Sequence, residues 1–161
     1  VTHEPHKPPM LRRRFSGPVT HTQVTGREYA VDHEYYYRDR NGFLWWERMG
    51  TLSDGGSIPK FFWRVVGSPF VGPVGAYRIH DLICRLAKEG GVYNGLSGRA
   101  LREHGDKVVL PDAIEDYNKV VPGSLPSKKK RMLTEIGVRI GGWWANLKGD
   151  FDPKEPPEPS A

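Results

Sequence analysis

The densest chemistry in this sequence lies in two places. One is His80-Asp81, set among Ala76, Ile79, Leu82, Ile83 and Leu86 at helical spacing, so the pair sits on a helix with an apolar face. Adjacent helix residues point about 100° apart, so His80 and Asp81 cannot pair with each other and each needs its own partner. A histidine general base requires an acceptor on its second ring nitrogen, and Asp112 or Asp116 on a later helix can provide it. Asp81 is then available to a metal or a substrate, unless the histidine is simply a hydrogen-bonded structural residue. The other place is Ser53-Asp54-Gly55-Gly56-Ser57, directly ahead of Ile58-Pro59. Gly55 and Gly56 allow close backbone approach, and the helix start at Ser57 offers unpaired N–H groups to an anion. The plainer alternative is that Asp54 and Ser57 only cap the turn and the helix.

Positioning these residues requires a sheet followed by helices. Aromatic and β-branched residues cluster from Tyr29 to Tyr37 and from Phe43 to Trp46, separated by Arg40-Asn41-Gly42, a hairpin signal because Asn-Gly accepts positive φ. The pattern predicts strands over about 27–38 and 43–50, with a polar edge strand near 18–25. Helices are expected over 57–66, 76–87, 111–121 and 126–147, with 67–75 and the Gly-rich 90–106 as loops. The fold class is therefore α+β: a small antiparallel sheet of about three strands in the N-terminal half, packed on about four helices in the C-terminal half. One domain over 18–150 is expected, between a basic, Pro-rich arm (1–17) and a Pro-rich tail (151–161). Gly141-Gly142 implies close packing of the last helix, and Trp143 and Trp144 with Trp45, Trp46 and Trp63 form either an aromatic core or a surface for carbohydrate or base stacking.

At 161 residues with 37% hydrophobic and 27% charged residues, the chain can bury one core and is not of disordered composition. The lone Cys84 excludes an internal disulfide and a multi-cysteine zinc cluster. No apolar run reaches the roughly 18 residues of a membrane span, and the opening residues lack the layout of an export signal. Seven of the 24 basic residues fall in Arg12–Arg14 and Lys128–Arg131, so the net charge of +5 comes from two short runs and does not by itself indicate nucleic-acid binding. His3 and His6 lie in the arm without neighbours to fix them as metal ligands.

Taken in order, Gly50 to Pro59 with its Ser53-Asp54 and Ser57-Ile58-Pro59, then Ala76 to Leu82 with His80-Asp81, then Asp112, then Gly137 to Trp144, the sequence resembles the phage-associated domain-of-unknown-function family numbered 1353 over about residues 27–147. That family reads as a Thr-Asp then Ser-Ile-Pro segment, a His-Asp helix, an arginine with an Ala-Asp pair, and a closing Gly-Trp segment. Here Cys84 stands where the family usually has tyrosine, and no arginine shortly precedes Asp112. Gly72 to Asp81 is also similar, more weakly, to His-Asp phospholipases A2. That likeness implies a loop binding Ca²⁺ through its carbonyls, Asp81 as the calcium carboxylate, His80 as the base and Asp112 as its orienting partner.

The expectation is one polar site built from Asp54, Ser57, His80, Asp81 and Asp112, with Gly55, Gly56 and Arg78 as binding residues and a divalent metal such as Ca²⁺ on Asp54 or Asp81. The leading expectation for function is an accessory hydrolase of a phage or prophage in which His80 activates water, acting in the host cytoplasm or carried in the virion. The rivals are a non-enzymatic virion or interaction protein, whose terminal arms bind other phage proteins, and a binder of a small anionic ligand.

Overall fold

The computed structural model describes residues 14–25, 28–53 and 72–149, with the backbone alone for residues 144 and 145. The architecture is α+β, with short antiparallel strands first and helices after them. Strands β1 (His21–Gln23), β2 (Tyr29–Val31) and β5 (Leu52–Ser53) form one sheet with β2 in the middle, and β3 (Tyr35–Arg38) and β4 (Leu44–Glu47) form a second. The strand expected over 27–38 is thus two strands in different sheets, divided at residues 32–34. The break lets Val31, Tyr35 and Tyr37 all enter one core.

The hairpin between β3 and β4 falls where Asn41-Gly42 places it, with Gly42 at φ +83°. Asp39 locks it: its buried carboxylate accepts the N–H groups of Asn41 and Phe43, both at 2.9 Å, and the Trp45 indole N–H at 3.0 Å. His104 Nε2 lies 3.2 Å from the same carboxylate and ties the turn to the helical half. Ahead of the sheets, Phe15 stacks on Tyr37 with ring centroids 4.4 Å apart, and Arg14 and Ser16 exchange backbone bonds with β3.

Helix α1 (Val74–Lys88) carries Ala76, Ile79, Leu82 and Ile83 into the core and ends at Gly90, whose φ of +79° reverses the chain as Gly91 N–H reaches the Leu86 carbonyl at 3.1 Å. Helix α2 (Gly98–His104) begins inside the segment expected to be a loop. It runs through a π-helical segment, Gly105–Val109, straight into α3 (Leu110–Val120). Pro111 therefore does not open a helix. It has no N–H to give to the carbonyl four residues back, and its ring crowds that carbonyl, so a wider π turn just before it relieves the conflict without breaking the rod. Helix α4 (Lys128–Leu147) follows, with the Ser127 hydroxyl accepting the Lys130 N–H at 3.3 Å as its cap. The expected helix over 57–66 and most of both terminal arms lie outside the described residues.

The aromatic core expected from the tryptophans is shared out. Trp45 is buried, Trp46 stacks on Tyr36 at 5.9 Å, Trp143 is exposed, and Trp63 lies outside the described residues. The core instead depends on tyrosines: Tyr117 packs edge-on to Phe15 and its hydroxyl accepts the Val19 N–H at 3.0 Å. That ring lies against Gly75, where an added Cβ would come 2.4 Å from Tyr117 Cε2. Gly75→Ala is expected to destabilise the domain toward the upper end of the ~1–3 kcal/mol typical of overpacking, more than the ~1 kcal/mol gained in helix propensity. Thermal denaturation checks this, and a more stable variant would show that the ring is not held there.

Candidate functional site

The π segment brings to His80 a partner other than Asp112 or Asp116. His80 Nε2 lies 2.6 Å from Asp106 Oδ1, and the same oxygen accepts the Arg102 Nε–H at 2.8 Å. Arg102 and Asp106 stand four apart across the α2–π junction and so share a face, while His80 looks across from α1. Burial pulls the imidazolium of His80 down, but the Cys84 sulfur and the Asp106 carboxylate outweigh it and leave the group pushed up to about 10. Burial pushes Asp106 up in turn, yet the hydrogen bond and charge of His80, followed by Arg102, hold its carboxyl below the ordinary range. At neutral pH the cluster is therefore imidazolium, carboxylate and guanidinium.

Cys84, one turn after His80 on the same helix, places its sulfur 3.7 Å from Nε2 and 3.8 Å from Nδ1. A sulfur so nearly equidistant from both nitrogens is aligned with neither, and it is no closer to Nδ1 than to the nitrogen Asp106 already holds. A nucleophilic relay needs thiol and carboxylate on opposite nitrogens, so Cys84–His80–Asp106 is not set up as one.

His80, Cys84 and Asp106 do offer three ligand atoms within 4.8 Å of one another. The nitrogen and sulfur donors do not suit Ca²⁺, which takes oxygen ligands. A softer ion would have to displace both the proton shared at 2.6 Å and the Arg102 guanidinium from Asp106. The present arrangement is an ion-pair network.

The other expected site residues are distributed elsewhere. Asp112 does not orient His80: it is bonded to Arg40, on the hairpin side of the molecule. Asp116 is also committed, to Arg14 at 3.1 Å, the Tyr37 hydroxyl at 3.2 Å and Lys119 at 2.6 Å. Asp81 accepts the Ser53 hydroxyl at 2.6 Å, which ties α1 to β5. Arg78 is no surface ligand group but a fully buried cation spanning Glu47 and the carbonyls of Tyr29 and Thr51. Asp54, Gly55, Gly56 and Ser57 lie outside the described residues. The structure thus brings His80 together with Asp106, Arg102 and Cys84, and not with Asp112.

Asp106 and Arg102 also border a cleft of about 360 Å³ between the α2–π wall and α4. Close approach there depends on Gly142, as its glycine pair suggested: a Cβ at this position would lie 3.2 Å from Asp106 Oδ2. His80 is behind the cleft wall and only 2% exposed. Among the described residues no helix is long and apolar enough to cross a membrane.

These features define an α+β domain in which a buried His–Asp–Arg network backs a polar cleft. The chain belongs to the family described as Protein of unknown function (DUF1353), which matches residues 29–118. The chain is also 39% identical over 57 residues to an uncharacterized protein, y4jT, of Sinorhizobium fredii (strain NBRC 101917 / NGR234). That match covers 35% of this chain and only 17% of y4jT. No solved structure matches the chain.

Proposed function

We propose that the chain is an accessory hydrolase of phages or prophages in which His80, oriented by Asp106, takes a proton from water. The observation that carries this reading is the 2.6 Å contact between His80 Nε2 and Asp106 Oδ1, which fixes the ring and leaves Nδ1 as the proton acceptor. Arg102, donating to the same oxygen, helps to keep the orienting carboxylate ionised. In this reading Asp54 or Asp81 supplies the carboxylate for a Ca²⁺ ion, with Gly55 and Gly56 as binding residues. The site of action is the infected host's cytoplasm or the virion.

His80 can accept the water proton only after losing the one it holds, so the rate should climb with pH from neutrality toward about 10. The test is hydrolysis of aryl esters and of phospholipid vesicles by the full chain, with and without added Ca²⁺, across that pH range. His80→Asn and Asp106→Asn should each lower turnover about a hundredfold. Absence of turnover throughout, from protein shown to be folded, would overturn the hydrolase.

The second reading is a non-enzymatic virion or interaction protein whose arms contact neighbouring proteins. Its support is the burial of His80, 2% exposed and outside the cleft lining, which suits an internal brace for the π segment. In that case His80→Asn lowers stability and changes no reaction.

A further inference from the structure

One face of α4 has no role in the network above. Glu135, Arg139 and Trp143 follow at intervals of four, and Asn146 comes three later, so all four project from one side of the helix. That side forms a wall of the 360 Å³ cleft, opposite Arg102, Glu103, Asp106 and Lys107. Trp143 is 59% exposed, a large cost for an indole with only a structural role. The Asn146 side-chain oxygen is buried and accepts no hydrogen bond among the described residues. Asn146 also lines the cleft, where its amide nitrogen can offer N–H groups.

The charges indicate the ligand's chemistry. The α2–π wall neutralises itself, with Arg102 on Asp106 at 2.8 Å and Lys107 on Glu103 at 3.0 Å. Glu135 and Arg139 face it as one anion and one cation. A cleft so balanced has no excess charge to select a phosphate or an organic cation. What it presents is a flat apolar ring beside planar groups (carboxylate, guanidinium and amide) that bond donors and acceptors on adjacent atoms. A pyranose ring matches both: its C–H face packs on an indole, and its neighbouring hydroxyls each donate and accept. The volume lies at the small end of the ~300–1,000 Å³ of small-molecule sites.

We propose that the cleft between the π segment and α4 binds a small neutral saccharide, stacked on Trp143 and hydrogen-bonded to Asn146, Glu135 and Arg139. The binding concerns the cleft alone and holds whether or not His80 performs hydrolysis.

The test is titration of the full chain with cellobiose, maltose and N,N′-diacetylchitobiose, read by calorimetry and by the Trp143 indole N–H resonance. Glucose 6-phosphate and adenosine serve as charged and nucleoside comparisons. At least one neutral disaccharide should bind saturably and shift that resonance. Trp143→Ala should weaken binding tenfold or more, Asn146→Ala severalfold, and Trp143→Tyr, which keeps a ring, should restore most of it. Circular dichroism verifies that each variant is folded. His80→Asn should still bind, so loss of hydrolysis and loss of saccharide binding are separate results. The proposal is overturned if no neutral disaccharide binds, if binding survives in Trp143→Ala, or if only the phosphate or the nucleoside binds.

Discussion

Arg78→Met should unfold the domain at markedly lower temperature, at a cost of about 3–5 kcal/mol, the range for removing one partner of a buried ion pair. Arg78 and Glu47 are each 1% exposed, with Nη2 at 3.0 Å from Oε1 and Nε at 3.3 Å from Oε2. The same guanidinium donates to the carbonyls of Thr51 at 2.8 Å and Tyr29 at 3.2 Å, and the Tyr35 hydroxyl donates to Glu47. One cation on α1 thus holds β2, β4 and the approach to β5, members of both sheets. Burial already pushes the Glu47 carboxyl up against the opposing pull of Arg78 and Tyr35, so losing Arg78 leaves that carboxyl without its main counter-charge. Arg78→Lys should recover little, because an ammonium cannot serve a carboxylate and two carbonyls from one planar fork. The double variant Arg78→Met, Glu47→Leu should recover much of the loss, since replacing both charges with apolar groups is often neutral. At ~2–4 °C per kcal/mol for a chain of this size, the single variant should melt about 10 °C early. A midpoint unchanged by Arg78→Met would show that the pair contributes nothing.

The second large effect is a dependence of stability on pH set by His80 and Asp106. His80 is raised in the folded protein to about 10, so its contribution is complete below its ordinary value near 6.5 and is lost as pH climbs toward 10. Asp106 is lowered, so its contribution is present above its ordinary value near 3.8 and is lost as pH falls through the lower, folded value. Urea midpoints should therefore be highest between about pH 4 and 6.5 and fall steadily on the alkaline side. Asp106→Asn leaves the His80 imidazolium facing Arg102 with no anion between them, a change of about 3–5 kcal/mol that His80 can lessen only by giving up its proton. In that variant the alkaline decline should shrink to the part that Cys84 supplies. An NMR titration of His80 checks both statements, and a wild-type midpoint near 6.5 would refute them.

Much of the scaffold was legible where a local rule acts alone. Asn41-Gly42 specifies a hairpin through backbone freedom, and the apolar spacing through Ala76 to Leu86 specifies α1 and thereby places His80. The site was legible only on that one side. Residues 90–106 hold several glycines and look like a loop, which hid the start of α2, and Pro111 looks like a helix opening when it is tolerated inside a rod. With that rod cut in two, Asp112 on the second piece became the natural partner for His80. The signal that pointed to Asp106 was present: Arg102 and Asp106 stand at the i, i+4 spacing of a helical ion pair. Arg78 was misassigned for another reason, since its partners on β2 and β4 are remote in sequence and a buried arginine looks like any other in a list of residues.

The π segment also determines the phase of the rod from Gly98 to Val120. An α-helix advances about 100° per residue, so a turn holding one residue more offsets everything after it by that angle. Ahead of the segment and at its start, Arg102 and Asp106 look toward His80 and the cleft; after it, Ala113, Ile114 and Tyr117 look into the core. One continuous helix thereby serves two orientations that a uniform pitch would not satisfy together. Removing a single residue from 105–109 would force the chain to choose between its core and its cleft.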